Sequence, residues 1–463
     1  MQDLTTGSIR GHLVRTTGFM LVMMVFQVLY FLVDLYWVGR LGTAAVAGVA
    51  IAGQVQFVTM AIGQVLAVGT TTLVAQAAGR RDGEAGRHAF NQAVVLACVV
   101  GVVFVVVAWA GLGRYTRAMS ADAATARTAA DYLRWYAPAT AIGFPLGVMG
   151  AALRATGDFR KPVIVSTITV MANIVLAPVR VFGWGTGRAF GVAGAAMATL
   201  VPIAVATVVV ATWFRAPDAF LRFDARAVRP ALAEWRRLLA IGLPAGFEFA
   251  LMALYQFVVY LVARPFGPAA QAGFGVGMRV IQAAFMPVVA LGAAVAPVAG
   301  QNFGAARGDR VRATFREAAI MGTIVMTCFA LLSHVSPEGM VRPFSRDAAV
   351  IAMAAGYLRV VSWNYIASGL IYVSSSMFQA MGNTLPPLAA STLRTALVLG
   401  PVLWLAQRPG FRLEWAWTLA VAMTWMQAVV SLVLLRREFR ARLDGMASAT
   451  PVPSPLMSLA VER

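Results

Sequence analysis

Lysine is all but missing from this chain: Lys161 stands alone among 38 basic residues, and the other 37 are arginine. Cysteine and histidine are nearly as scarce. Cys98 and Cys328 both lie in apolar segments, and His12, His88 and His334 share no motif, which excludes a disulfide framework, a zinc cluster and a haem attachment site. No cofactor and no bound metal is therefore expected. Charge of either sign is thin: 12% of 463 residues are charged, 60% are hydrophobic and the mean hydropathy is +0.74, values that an ordinary soluble chain does not reach. A net charge of +19 would suggest nucleic acid in a soluble domain. Here the arginines sit at the ends of long apolar runs, which membrane topology explains without a nucleic-acid partner. No short apolar run with a small-residue cleavage site opens the chain; the first hydrophobic segment continues from Leu13 to Val38 and reads as a retained helix rather than a signal peptide.

What is present is a series of apolar stretches of roughly twenty residues, each long enough to cross about 30 Å of hydrocarbon as a helix. Twelve spans are expected, beginning near 13, 46, 89, 132, 163 and 190, then near 239, 271, 316, 356, 386 and 413. An even count puts both termini on one side. The Arg-rich connections on that side (Arg10 and Arg15, 79–88, 153–162, 215–237, 301–316, and Arg436 to Arg442) make it the cytoplasmic side of a multi-pass membrane protein.

Sliding the chain against itself by 225 positions exposes a duplication. Gly42, Ala44, Ala45 and Gly48 fall on Gly267, Ala269, Ala270 and Gly273. Gln76, Gly79, Gly83, Arg87 and Phe90 fall on Gln301, Gly304, Gly308, Arg312 and Phe315, and Tyr132-Leu133-Arg134 falls on Tyr357-Leu358-Arg359. Six spans per copy return the chain to the side it left. The expected fold is thus an all-α membrane protein of two six-helix bundles related by a pseudo-two-fold axis along the membrane normal, with substrate held between them near the midplane. The boundaries drawn from the sequence are an N-terminal lobe at 1–214, a cytoplasmic linker and hinge candidate at 215–237, a C-terminal lobe at 238–440 and a disordered tail at 441–463.

Several motifs give the chain a family likeness. Val38-Gly39-Arg40-Leu41-Gly42 closes the first span, Gln76-Ala77-Ala78-Gly79 follows the second and Pro297-Val298-Ala299-Gly300-Gln301-Asn302-Phe303-Gly304-Ala305 follows the eighth. With Asn173 in the fifth span and Gly191-Val192-Ala193-Gly194-Ala195-Ala196 opening the sixth, the ordered set resembles the multidrug and toxic compound extrusion (MATE) family over roughly residues 10 to 440. The resemblance implies a secondary antiporter, not an enzyme, that exports cationic or amphipathic organic compounds against inward H+ or Na+ by rocking two bundles about a central cavity. It also implies a cation site in the N-terminal lobe that includes the first-helix acid, Asp34, and the fifth-helix Asn173. Where the family often has an acid four residues after that Asn, this chain has Ala177, with Arg180 one turn on; and where the first helix often carries a proline, only Gly18 offers freedom to bend.

Of nineteen acids, only Asp34 and Glu248 lie well inside apolar spans. A carboxylate in hydrocarbon costs about 3 kcal/mol or more unless protonated, paired or hydrated, so both are expected to face a cavity. Helical spacing puts Gln27 and Tyr30 on the face of Asp34; with Asn173, which the family resemblance implies, they make the cation-coupling set Asp34, Gln27, Tyr30 and Asn173. Burial favours a protonated carboxyl and a bound cation favours the ionised one, which lets one site exchange a proton or Na+ for a cationic substrate. Without an acid at Ala177 an obvious ligand for Na+ is gone, so H+ is the favoured coupling ion. An Arg180 within reach of Asp34 would oppose its protonation; near the end of its span it is expected to snorkel outward. In the second lobe, Glu248 follows Pro244 by one turn and lies close to midplane, with Tyr255 and Gln256 two turns along. These residues, with Trp363, Asn364 and Tyr372 of the tenth span, form the candidate substrate cavity for a small organic cation in a monomeric, lipid-embedded protein.

Three bland alternatives accompany these assignments. Asp34 sits at the outer interface and is merely hydrated; Glu248 is a neutral helix–helix hydrogen bonder; and Gln76 and Gln301 cap helix ends. Among other functions, a lipid-linked oligosaccharide flippase of the same duplicated fold would use the basic residues Arg279 and Arg394. A membrane-embedded enzyme finds no paired His, Cys nucleophile or metal spacing to work with.

Overall fold

The computed structural model describes residues 2–216, 219–224, 227 and 229–446. Its first six long helices are α1 (Ile9–Gly39), α2 (Thr43–Arg80), α3 (Gly83–Met119), α4 (Ala123–Ala155), α5 (Arg160–Phe182) and α6 (Gly191–Trp213). The second set is α7 (Leu232–Ala263), α8 (Pro268–Gly304), α9 (Gly308–Val335), the short α10 (Pro337–Val341), α11 (Ala348–Val361), α12 (Asn364–Met381), α13 (Leu385–Leu405) and α14 (Leu413–Leu443). Among the described residues eleven helices are individually long and apolar enough to cross a membrane. The span expected from about residue 356 is instead two helices, α11 and α12, which meet at a 58° bend and together make the twelfth. At the break Ser362 N still bonds Leu358 O, while its hydroxyl lies 3.2 Å from Arg359 O and 3.1 Å from Nδ1 of His334.

The scarce acids explain several helix starts. Asp122 Oδ1 accepts from the N–H groups of Ala124 and Thr125 at 2.8 Å, and Asp347, its counterpart in the repeat, does the same for Ala349 and Val350 at 2.8 and 3.2 Å. Each satisfies donors that would otherwise be orphaned at a helix N-terminus.

The two lobes exchange material at the Arg-rich face, where α1 starts and α14 ends. The first turns of α1 belong to the C-terminal lobe: Leu13 is fully buried in a cluster with Val298, Ala299 and Phe378, whereas Val38 near the other end packs with Ala45, Tyr132 and Val181 of the N-terminal lobe. Helix α7 mirrors it. Leu238, Ile241 and Ala245 join Leu66 and Leu73 in the N-terminal core, and Val258 and Val262 join Phe274 and Trp417 in the C-terminal one.

Close approach of α2 and α8 seals this face. A side chain at Gly79 would strike the carbonyl of Gln301, and one at Gly304 would strike the carbonyl of Gln76. The two glutamines do not cap their own helices, as the sequence suggested. Gln76 Nε2 reaches across to Ala380 O at 2.9 Å, and Gln301 Nε2 reaches across to Ala155 O at 2.8 Å. Donors and acceptors are related by the same offset of 225, so the staple is itself two-fold symmetric. Burial follows this pattern: α2 is buried almost continuously from Leu66 to Gly79, but only at Ala45, Gly48, Ala52 and Thr59 before that. Among the described residues the hydrogen bonds between the lobes all lie towards the Arg-rich end.

The linker is not loose. Gln92 Nε2 donates to Ala227 O and Arg229 O at 2.8 and 2.9 Å, and its Oε1 accepts from Ala231 N at 2.9 Å. Leu221 is buried and Phe223 packs on Phe90 and Phe214, so the described part of the segment is docked onto α3. Of the expected tail, residues up to Leu443 continue α14 with Leu443 fully buried, Asp444–Met446 form one 3-10 turn, and residues 447–463 lie outside the described residues.

Candidate functional site

Four helices of the N-terminal lobe bring a polar cluster together. Helix α1 carries Asp34 and Tyr30 one turn apart, α4 supplies Tyr132, α5 supplies Asn173, and α6 supplies a backbone carbonyl at Ala198. The Tyr132 hydroxyl donates to Asp34 Oδ2 over a long 3.4 Å, and the Asn173 amide donates to the Tyr30 hydroxyl and to Ala198 O, each at 3.2 Å. Tyr136 stacks on Tyr132 with ring centroids 5.4 Å apart.

Two oxygens in this cluster are left over. Asp34 Oδ1 and Asn173 Oδ1 are buried and have no hydrogen-bond partner. An orphaned buried acceptor costs about 1–3 kcal/mol. A bound cation or a proton on the carboxyl would satisfy such acceptors. Ala177 is fully buried and offers nothing more, and among the described residues Arg180 forms no ion pair with Asp34. Its backbone carbonyl, not its guanidinium, is engaged, accepting from Phe190 N at 3.0 Å. Gln27 is exposed and makes no side-chain hydrogen bond among the described residues, so the structure brings Asp34, Tyr30 and Asn173 together and leaves Gln27 a turn away.

In the C-terminal lobe, Glu248 is half-buried on α7 one turn beyond the buried Pro244. Ser391 and Arg394 of α13 and Tyr372 of α12 are its polar neighbours. The Arg394 guanidinium lies 5.7 Å from the Tyr255 ring centroid, a cation–π arrangement, and Ser391 Oγ accepts from Gln427 Nε2 at 3.0 Å. Glu248 and Arg394 do not close into an ion pair within 4.0 Å. Gln256 is half-buried beside Tyr255 with no hydrogen bond of its own among the described residues.

Trp363 does not join this group. It is 62% exposed at the α11–α12 break, edge-on to His334 at 4.9 Å, and its carbonyl accepts from Trp425 Nε1 at 3.1 Å. Asn364 is buried at the start of α12 with an unpartnered Oδ1, again without a recorded contact to Glu248. The reason is the break itself: helical register from Tyr372 back to Trp363 runs straight into a 58° change of direction. Tyr132 is the functional-site residue that the acid-and-stripe argument missed. It stood in the duplicated Tyr-Leu-Arg, whose second copy, Tyr357, points its hydroxyl at Met278 Sδ 3.4 Å away instead of at a carboxylate.

Comparison with known proteins adds the following. The family model described as MatE matches residues 20–179 and 244–405, in both lobes. The chain is 27% identical over 365 residues to the probable multidrug resistance protein YoeA of Bacillus subtilis, covering 78% of this chain and 79% of that protein. It is 24% identical over 368 residues to the multidrug export protein MepA of Staphylococcus haemolyticus, covering 78% and 79%. A solved structure described as MATE in the bent conformation superposes with a TM-score of 0.89 at 23% identity, covering 96% of this chain and 98% of the other.

Proposed function

Since the chain belongs to the MatE family of membrane transporters, we propose that it is a secondary antiporter that exports cationic or amphipathic organic compounds in exchange for H+. The observation that carries the coupling site is the pair of unpartnered buried oxygens on Asp34 and Asn173, which a proton or a cation would satisfy. H+ is preferred to Na+ because Ala177 supplies no second carboxylate to the cluster, and a hard cation favours anionic oxygen ligands.

With the Arg-rich face in the cytoplasm of a bacterial inner membrane, the lobes are closed inside and parted outside. In this arrangement a proton enters from the open side and neutralises Asp34. Tyr132 then loses its ionised acceptor, and the cost of carrying a carboxylate through an occluded state falls. The lobes rock, the site faces the cytoplasm, and loss of the proton restores the anion that an organic cation can be exchanged against. The protein acts as a monomer in lipid, with Glu248, Tyr255 and Tyr372 contacting substrate in the second lobe. A second reading, transport of an anionic lipid-linked oligosaccharide, is favoured by one feature, the Arg394 guanidinium beside the same cleft.

Purified protein in proteoliposomes, given a fluorescent organic cation and separately imposed pH and Na+ gradients, tests the reading. A pH gradient alone is expected to drive transport and Asp34→Asn to abolish it. Transport driven by Na+ alone, or undiminished in Asp34→Asn, would overturn proton coupling. No movement of any cation, with transfer of an anionic lipid-linked glycan instead, would favour the second reading.

A further inference from the structure

The residues before α1 form a strap across the closed face, and their two sides are held unequally. On the C-terminal lobe, Leu4 N donates to Gln301 Oε1 at 3.0 Å, Asn302 Nδ2 donates to Leu4 O at 3.2 Å, Arg307 Nη1 donates to Thr5 O at 2.7 Å and Arg310 Nη2 donates to Gly7 O at 3.0 Å. The Leu4 side chain is fully buried in the C-terminal core beside Leu13 and Val298. The N-terminal lobe holds the strap by polar contacts alone: Gln2 N donates to Thr156 O at 2.9 Å, the Gln2 side-chain amide lies 3.2 Å from Gly157 O, and the Arg81 guanidinium lies 3.4 Å from Asp3 Oδ2 in a largely exposed ion pair.

The strap also fixes one of the two symmetric staples. The Gln301 amide is gripped at both ends, its Oε1 by Leu4 N and its Nε2 on Ala155 O across the lobe boundary. Its counterpart Gln76 reaches Ala380 O with no such support among the described residues, because the segment that precedes α7 is docked on α3. An amide held in one orientation loses less rotamer freedom when it bridges, so the supported staple is the stronger one.

We propose that residues Gln2 to Gly7 are a latch carried by the C-terminal lobe. It stabilises the state in which the lobes meet at the Arg-rich face, and it releases Thr156 and Arg81, not Gln301 and Arg307, when that face opens. The proposal rests on the alternating-access part of the reading above, but not on any particular substrate or coupling ion.

The test uses the full chain in lipid nanodiscs with Cys98→Ala and Cys328→Ala and spin labels attached in pairs. Glu84→Cys and Asp309→Cys place labels on exposed first-turn residues of α3 and α9, one on each lobe at this face. Pulsed distance measurements are expected to give a dominant short distance with the strap intact. Leu4→Asp is expected to raise the longer-distance population at least threefold. Asp3→Arg, which sets like charge against Arg81 without touching the buried leucine, is expected to raise it less, with the thermal melt unchanged. A label at Thr6→Cys is expected to keep one distance to Asp309→Cys in both populations and to part from Glu84→Cys in the longer one. Unchanged Glu84–Asp309 distances in Asp3→Arg, or a Thr6 label that stays with Glu84, would overturn the latch. Because no substrate is present, this outcome is separate from failure of the export reading.

Discussion

Asp34 illustrates how a single residue can be both legible and underdetermined. Its position inside an apolar helix marks it as exceptional, since intramembrane charge is costly. Its hydrogen-bond partner comes from elsewhere, Tyr132 lying 98 residues on, and the Asn173 amide that engages Tyr30 lies 143 residues beyond Tyr30. If the Tyr132 hydroxyl tunes the carboxylate as its geometry indicates, Tyr132→Phe should slow proton-driven transport by about fivefold, the effect of a weak hydrogen bond of about 1 kcal/mol. Asp34→Asn should stop it. Both are read from initial rates in proteoliposomes, with elution from size exclusion checking that each variant is folded.

Asp3 supplies a pH prediction of opposite character. Burial alone would push its carboxyl up, but hydrogen bonds from the Thr5 hydroxyl and N–H, with Arg81 alongside, outweigh it and hold the carboxyl below the usual carboxylate range. A group whose acid is stronger in the folded state contributes stability above its unfolded pKa and loses it as pH falls through the folded one. The strap's contact with Arg81 should therefore persist from roughly pH 8 down to about pH 4, and a label at Thr6→Cys should part from Glu84→Cys only below that. Loss of that contact near neutral pH would show that Asp3 does not hold the strap to the N-terminal lobe.

At the scale of elements, small residues decide where helices approach. Gly79 and Gly304 allow α2 and α8 to touch backbone to backbone, and any side chain there meets a carbonyl. Gly79→Val should destabilise the closed protein by about 1–3 kcal/mol through overpacking, seen as a lower thermal midpoint. Gly304→Val should match it because the positions are related by the repeat. Gly143→Ala, with open space where the methyl would go, should leave the midpoint unmoved. The broken tenth span carries the complementary lesson. The tenth span, expected from about residue 356, read as one apolar stretch, and without proline there was no signal for the bend; a hydroxyl and a neighbouring histidine, rather than composition, mark the break at Ser362.

For the whole molecule, the staples formed by Gln76 and Gln301 are the clearest expression of the duplication. A side-chain bond of this kind is expected to stabilise closure by about 1 kcal/mol, so Gln76→Ala should increase opening at the Arg-rich face by about fivefold, and Gln301→Ala, which also frees Leu4 N, by more. Their recorded partners are different residues, so the double variant should approach the product of the two effects. Accessibility of Ala155→Cys to a membrane-impermeant thiol reagent, with Cys98 and Cys328 replaced, measures this. A double variant no more open than the singles would show that the two bonds do not act as independent fasteners.

Hydropathy and the arginine distribution settled the class of the protein, the approximate helix starts and the arginine-rich face, because each span must satisfy its own backbone and therefore announces itself locally. The 225-residue repeat made the two-lobed plan readable as well. Only the tertiary structure decided which half of α1 and α7 belongs to which lobe, that the glutamines cross the boundary instead of capping, and that Trp363 stands away from Glu248. These depend on where helices cross and bend in space, and uniformly apolar surfaces pack acceptably in many ways. Residues far apart in sequence, such as Gln301 and Ala155, come into contact only when the chain has closed on itself.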